Sequence, residues 1–160
     1  MRRKAVFVGF DNVLINTRSG RRFPIHSDDW ELDVYVVEAL KDFYNKGYQI
    51  IIITNQDSVR DGYIHEKVFL DKIKRVCDKL DSTIDEGSGK CNTAFFYCIE
   101  DGNRRIPNNG MIIEALEDFE ISLKDSVMIG GNELTENFSN SCFIGKYINC
   151  NDIPKLDFGI

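Results

Sequence analysis

Two stretches of the chain are apolar almost without interruption, KAVFVGF at 4–10 and GYQIIIITNQ at 47–56. Neither alternates with polar residues, which is what a strand buried on both faces of a parallel sheet requires. Between them, DVYVVEALKDFYNKG spaces Val36, Val37, Leu40 and Phe43 as one helical face and closes on Gly47, a residue suited to the position after a helix end. The alternation continues. HEKVFLDKIKRVCDKL places Val68, Phe69, Ile73, Val76, Cys77 and Leu80 on one helical face, and TAFFYCIE supplies a third strand. MIIEALEDFEI then gives another amphipathic helix, and DSVMIGG a fourth strand ending in two glycines. Strands alternating with helices predict an α/β fold of three layers, a doubly wound, Rossmann-like, mostly parallel sheet joined by right-handed crossovers. Ligands of such sheets sit at the carboxyl ends of the strands. Four segments are therefore candidates: Gly9–Leu14, Thr54–Gln56, Ile99–Pro107 and Gly130–Thr135. DEGSGK at 85–90 has the glycines of a phosphate loop but precedes a strand instead of opening a helix, and reads as a solvent loop.

With 160 residues, the chain is expected to form a single domain over 1–160. The formal charge of −6 works against non-specific binding to a polyanion, whose affinity comes from Lys and Arg. Two basic clusters stand against that average, RRK at 2–4, read as solvated surface, and RSGRR at 18–22. The five cysteines are an odd number, without a C-x-x-C pair or a neighbouring histidine, and read as buried thiols in a reducing compartment. No segment approaches the roughly 18 apolar residues of a membrane span and no secretory leader is evident, so an intracellular protein without a membrane partner is expected.

The four strand ends carry a resemblance. FDNVLINTRSGRRFPIHSDDW at 10–30, TNQ at 54–56, RIPNNGM at 105–111, DSVMIG at 125–130 and the closing NFSNSCFIGKYINCNDIP together resemble the polynucleotide kinase 3′-phosphatase branch of the haloacid dehalogenase-like superfamily. The resemblance implies a haloacid dehalogenase-like core with little or no cap. It also implies an aspartate nucleophile at the end of the first strand and a second aspartate two residues later as general acid and base. Carboxylates of the first and fourth motifs would hold Mg²⁺, and a threonine and a lysine would bind the phosphate.

Placed on that pattern, Asp11 takes the acid–base position and Thr54 the phosphate-binding threonine, whereas Gly9 stands at the nucleophile, Ile106 at the lysine and Gly131 at the metal-binding aspartate. Residues i and i+2 of an extended chain lie about 7 Å apart, so Asp11 could act at phosphorus only on a phosphate displaced by about that distance. Three changes at three strand ends have a common explanation in a lost reaction. The expectation is therefore a pseudophosphatase, a non-catalytic scaffold or subunit with a protein partner and no cofactor. Two alternatives stay open. One is a module that binds a nucleic-acid end through Arg18, Arg21 and Arg22. The other is a weak Mg²⁺-dependent polynucleotide 3′-phosphatase using Asp11 with Arg105 in place of the lysine. A different site built from Asp11, Asp28, Asp29, Asp101 and His26 is set aside, because acidic residues in turns are more often solvated or cap helices, and neither His26 nor His65, both isolated in the sequence, is assigned a role.

Overall fold

The computed structural model describes residues 2–24 and 26–155. In chain order these form β1 (Ala5–Val8), β2 (Ile15–Asn16), β3 (Glu31–Leu32), α1 (Val34–Asn45), β4 (Gln49–Asn55), α2 (Asp57–Arg60), α3 (Glu66–Ile84), β5 (Ala94–Cys98), α4 (Gly110–Phe119), β6 (Val127–Gly130), α5 (Glu133–Ser141) and β7 (Lys146–Asn149). Five strands pair in the order β5-β4-β1-β6-β7, every pair parallel. The remaining two, β2 and β3, form a two-residue antiparallel ladder on the path from β1 to α1.

Strand parity divides the core. Val6, Val8, Ile50, Ile52 and Ile129 face one side and pack with Val36 and Leu40 of α1 and Ile73, Val76 and Leu80 of α3. Their neighbours Ala5, Phe7, Ile51, Ile53 and Met128 face the other side and meet Met111, Ile112 and Ala115 of α4 and Phe138 of α5. Side chains of a strand point alternately to its two faces, so an unbroken apolar run feeds both cores at once. One predicted core position is corrected: Val68 is 45% exposed, because the buried stripe of α3 runs through Phe69, Ile73, Val76, Leu80 and Ile84, and Val68 lies off it in the first turn.

The chain first winds from β1 through β4 to β5, then returns to β6 and β7 on the opposite side of β1. The direction of winding therefore reverses between β1 and β6, where an open parallel sheet leaves a crevice at its carboxyl edge. Gly9 extends the ladder there, its N–H donating to the Ile129 carbonyl at 3.0 Å. On the other side of the crevice Gly130 makes a close approach possible. A Cβ at that position would crowd Thr135 Oγ1 and lie 2.7 Å from the Tyr147 hydroxyl, so those two side chains of α5 and β7 would have to shift.

Candidate active site

After β1 the backbone turns back on itself, with the N–H groups of Leu14 and Ile15 donating to the Phe10 carbonyl at 3.0 and 3.1 Å. Asn12 takes the left-handed conformation at φ 61°, which asparagine tolerates better than most residues. This turn leaves the Asp11 side chain exposed and buries Val13. Gln56, buried at the end of β4, donates through Nε2 to Asp11 Oδ2 at 2.9 Å and to Thr54 Oγ1 at 3.0 Å. Asn55, on the opposite strand face, brackets Ile106 by accepting from its N–H and donating to its carbonyl, both at 3.0 Å. Those two bonds dock the loop after β5 against the end of β4.

Two cavities open at this edge. One, of about 250 Å³, is lined by Gly9, Asp11, Val13, Thr54, Ile106 and Gly131 among others, so the five positions singled out at the strand ends do meet in space. Asp11 is its one carboxylate among the described residues, and no Lys or Arg lines it. The other, of about 290 Å³, lies on the β2–β3 side, and Asp11 and Asn12 belong to the walls of both.

The donor set at the strand ends does not fit the Mg²⁺ that the fold family implies. Mg²⁺ takes oxygen ligands in near-octahedral array, and the two positions that would supply carboxylates are glycines facing an isopropyl group. A Cβ at Gly9 would stand 3.0 Å from Val13 Cγ2, and one at Gly131 would stand 3.3 Å from the same atom. Val13 thus fills the space between them, and an alkyl group ligates no metal. Nor do three or more His, Cys, Asp or Glu side chains gather anywhere among the described residues in a way that could hold a metal ion.

The arginines separate. Arg105 is turned away from both cavities and forms a two-pronged pair with Asp57, whose carboxyl is held below the usual carboxylate range by that hydrogen bond. Arg18 donates to the Trp30 carbonyl at 3.3 Å and lines a different cavity beside α1, Arg21 is exposed, and Arg22 lines the cavity on the β2–β3 side over the Phe23 ring. The acidic residues read as structural behave so. Asp29 accepts from the Ser19 N–H and hydroxyl at 2.8 and 2.7 Å, Asp28 pairs with Arg75, and Asp101 pairs with Arg60. His65 caps α3 by accepting from the Lys67 N–H, and His26 accepts from the Asp28 N–H. Lys72 of α3, which no sequence motif marked, also reaches the cavity on the β2–β3 side.

The doubly wound parallel sheet shares its fold with solved haloacid dehalogenase-like proteins. The family model described as polynucleotide kinase 3 phosphatase matches residues 4–145, and the chain belongs to that family. A Haemophilus ducreyi protein named D-glycero-beta-D-manno-heptose-1,7-bisphosphate 7-phosphatase is 31% identical over 81% of this chain and 73% of its own length. A Thermoplasma volcanium relative, also with a heptose-bisphosphate 7-phosphatase name, is 32% identical over 85% of this chain and 91% of its own. Among solved structures, D,D-heptose 1,7-bisphosphate phosphatase from B. bronchiseptica, complexed with magnesium and phosphate, superposes with a TM-score of 0.69 at 15% identity, covering 91% of this chain and 79% of that one.

These relatives overturn the expectation of a non-catalytic scaffold. Proteins sharing about a third of their residues over four-fifths of the chain carry phosphatase names, which favours a working phosphatase over an inert fold. The strand-end losses that carried that expectation leave Asp11 in place, and Asp11 is exposed to a second cavity as well. No helix among the described residues is long and apolar enough to cross a membrane.

Proposed function

We propose that this protein is a phosphatase acting on phosphate monoesters of sugar hydroxyls, the chemistry shared by a heptose bisphosphate and a polynucleotide 3′ end. Asp11 is the residue that works at the reacting centre. The observation that supports this most is its placement: a carboxylate exposed to two cavities, oriented by Gln56, in a chain whose relatives carry phosphatase names.

The steps follow from that side chain. Asp11 takes a proton from a water molecule as the water oxygen attacks phosphorus, and the bond between phosphorus and the sugar oxygen breaks in line with the attack. The departing sugar oxygen, on the far side of phosphorus from Asp11, takes its proton from solvent water, and Asp11 returns the proton it holds to solvent, so the products are an alcohol and inorganic phosphate. Gln56 holds the carboxylate in one orientation through its Oδ2, leaving the other oxygen to accept the proton. Proton transfer by a positioned carboxylate contributes about 10²- to 10⁴-fold. A centre that relies on it without a nucleophile at position 9 is expected to turn over slowly.

The test is phosphate release from a panel that holds a sugar bisphosphate, a 3′-phosphorylated oligonucleotide, a phosphodiester and pyrophosphate. Release confined to the two monoester classes supports the reading. Release from none of the panel, at protein in excess over substrate, would overturn it.

A further inference from the structure

The strand-end cavity is a poor seat for a phosphate dianion. It presents the Asp11 carboxylate, no Lys or Arg, and the Val13 side chain where a metal would have to sit. The cavity on the other side of Asp11 is different in kind. Lys72 and Arg22 both line it, and neither makes an ion pair among the described residues. Lys72 is half-buried with its Nζ 6.0 Å from the Phe10 ring centroid, and the Arg22 guanidinium lies 5.5 Å from that of Phe23. Ser58, at the start of α2, adds a hydroxyl. The other acid in this wall, Asp29, is buried and accepts two hydrogen bonds from Ser19, so its charge is already solvated by the protein. Of the two cavities, only this one brings cations to Asp11.

We propose that the phosphoryl group of the substrate binds in the cavity of about 290 Å³ bounded by Lys72, Arg22 and Asp11, with the two side-chain cations taking the place of a divalent metal. The proposal rests on the phosphatase reading for the identity of its ligand, a phosphate monoester. Lys72 supplies a point charge and Arg22 a planar fork that can meet two phosphate oxygens. Exposed Phe23 stands at the cavity wall, where the alcohol portion of the ester would lie against its ring. Binding of this kind needs no Mg²⁺ and weakens with salt, since it is the neutralisation of an anion by one exposed and one half-buried cation.

The experiment measures binding of inorganic phosphate to the full chain by ³¹P NMR and calorimetry, with Mg²⁺ and with chelator. The variants are Lys72→Gln, Arg22→Gln and a control, Lys146→Gln, which removes an equal charge from the exposed start of β7. Expected are affinity unchanged by chelator, a loss of about tenfold or more for Lys72→Gln and for Arg22→Gln, and no change for Lys146→Gln. Equal binding by all four proteins would overturn the proposal, as would binding that chelator abolishes or no binding by the unsubstituted chain. The two readings fail separately. Phosphate held by Lys72 and Arg22 without phosphate release would leave this site standing and remove the phosphatase, whereas release that is indifferent to both cations would do the reverse.

Discussion

The contact of Val13 with Gly9 can be measured as a coupling energy. Val13 is 7% exposed, and replacing it with alanine removes two methyl groups worth about 0.8 kcal/mol each, with a further cost for the space left behind, about 2 kcal/mol in total. Gly9→Ala acts on the same space from the other side. Its new methyl would stand 3.0 Å from Val13 Cγ2, closer than two such carbons settle, and overpacking of this kind costs about 1–3 kcal/mol. Part of that is offset, by about 0.5 kcal/mol, because alanine restricts the unfolded chain more than glycine does. In the double variant the clashing methyl is gone and the nearest remaining atom, the former Val13 Cβ, lies at an ordinary 3.4 Å. The methyl introduced at position 9 then fills part of the space that Val13→Ala opens. The double variant should therefore be more stable than the sum of the single effects by about 1 kcal/mol or more. Urea denaturation of the four proteins, followed by circular dichroism with a common m-value, gives the number. Additivity within about 0.5 kcal/mol would refute the claim that Val13 occupies the space between the strand ends, and with it the argument against a metal there.

Three further outcomes are expected. Ser139 is fully buried and its hydroxyl has no hydrogen-bond partner among the described residues, so Ser139→Ala should leave stability unchanged or raise it by up to about 1 kcal/mol in the same denaturation assay. The Ser88 and Tyr44 hydroxyls hold Asp85 below the ordinary carboxylate value. The folded chain therefore takes up that proton less readily than the unfolded one, and the stability Asp85 adds is present above about pH 4 and lost as the pH falls below it. Asp85→Asn should accordingly show a shallower loss of stability between about pH 4 and 2 than the unsubstituted chain. Burial pushes the Cys77 and Cys91 thiols up to about 12, so neither forms thiolate near neutrality, and mass spectrometry after brief alkylation at neutral pH should find both unmodified unless the chain is first unfolded.

The parts of the fold that could be read from the sequence are those whose burial is continuous. β1 and β6, and β4 over Ile50–Ile53, are apolar without a break because both faces are covered, and the stripes of α1, α3 and α4 stand out against polar neighbours. β7 gives a weaker pattern, KYIN, because an edge strand has one ladder and half-exposed side chains. Helix α5, ELTENFSNS, buries little beyond Phe138 and Ser139, and its start is fixed by reciprocal capping between Asn132 and Thr135, not by an apolar face. At the site, Gly9, Asp11, Thr54, Ile106 and Gly131 were legible through the family resemblance, and they do share a cavity. Lys72 was not legible. It is one of four lysines on α3, and its place beside Asp11 follows from how that helix packs across the sheet, which no local pattern encodes.

The central claim is that Asp11 performs chemistry on a phosphate monoester, and single-turnover phosphate release by the unsubstituted chain and by Asp11→Asn tests it most directly. Asparagine keeps the shape and the oxygen that accepts from Gln56, so the variant should denature within about 0.5 kcal/mol of the unsubstituted chain. Its rate of release should fall by about 10²- to 10⁴-fold. Equal rates for the two proteins, or no release from either, would contradict the account.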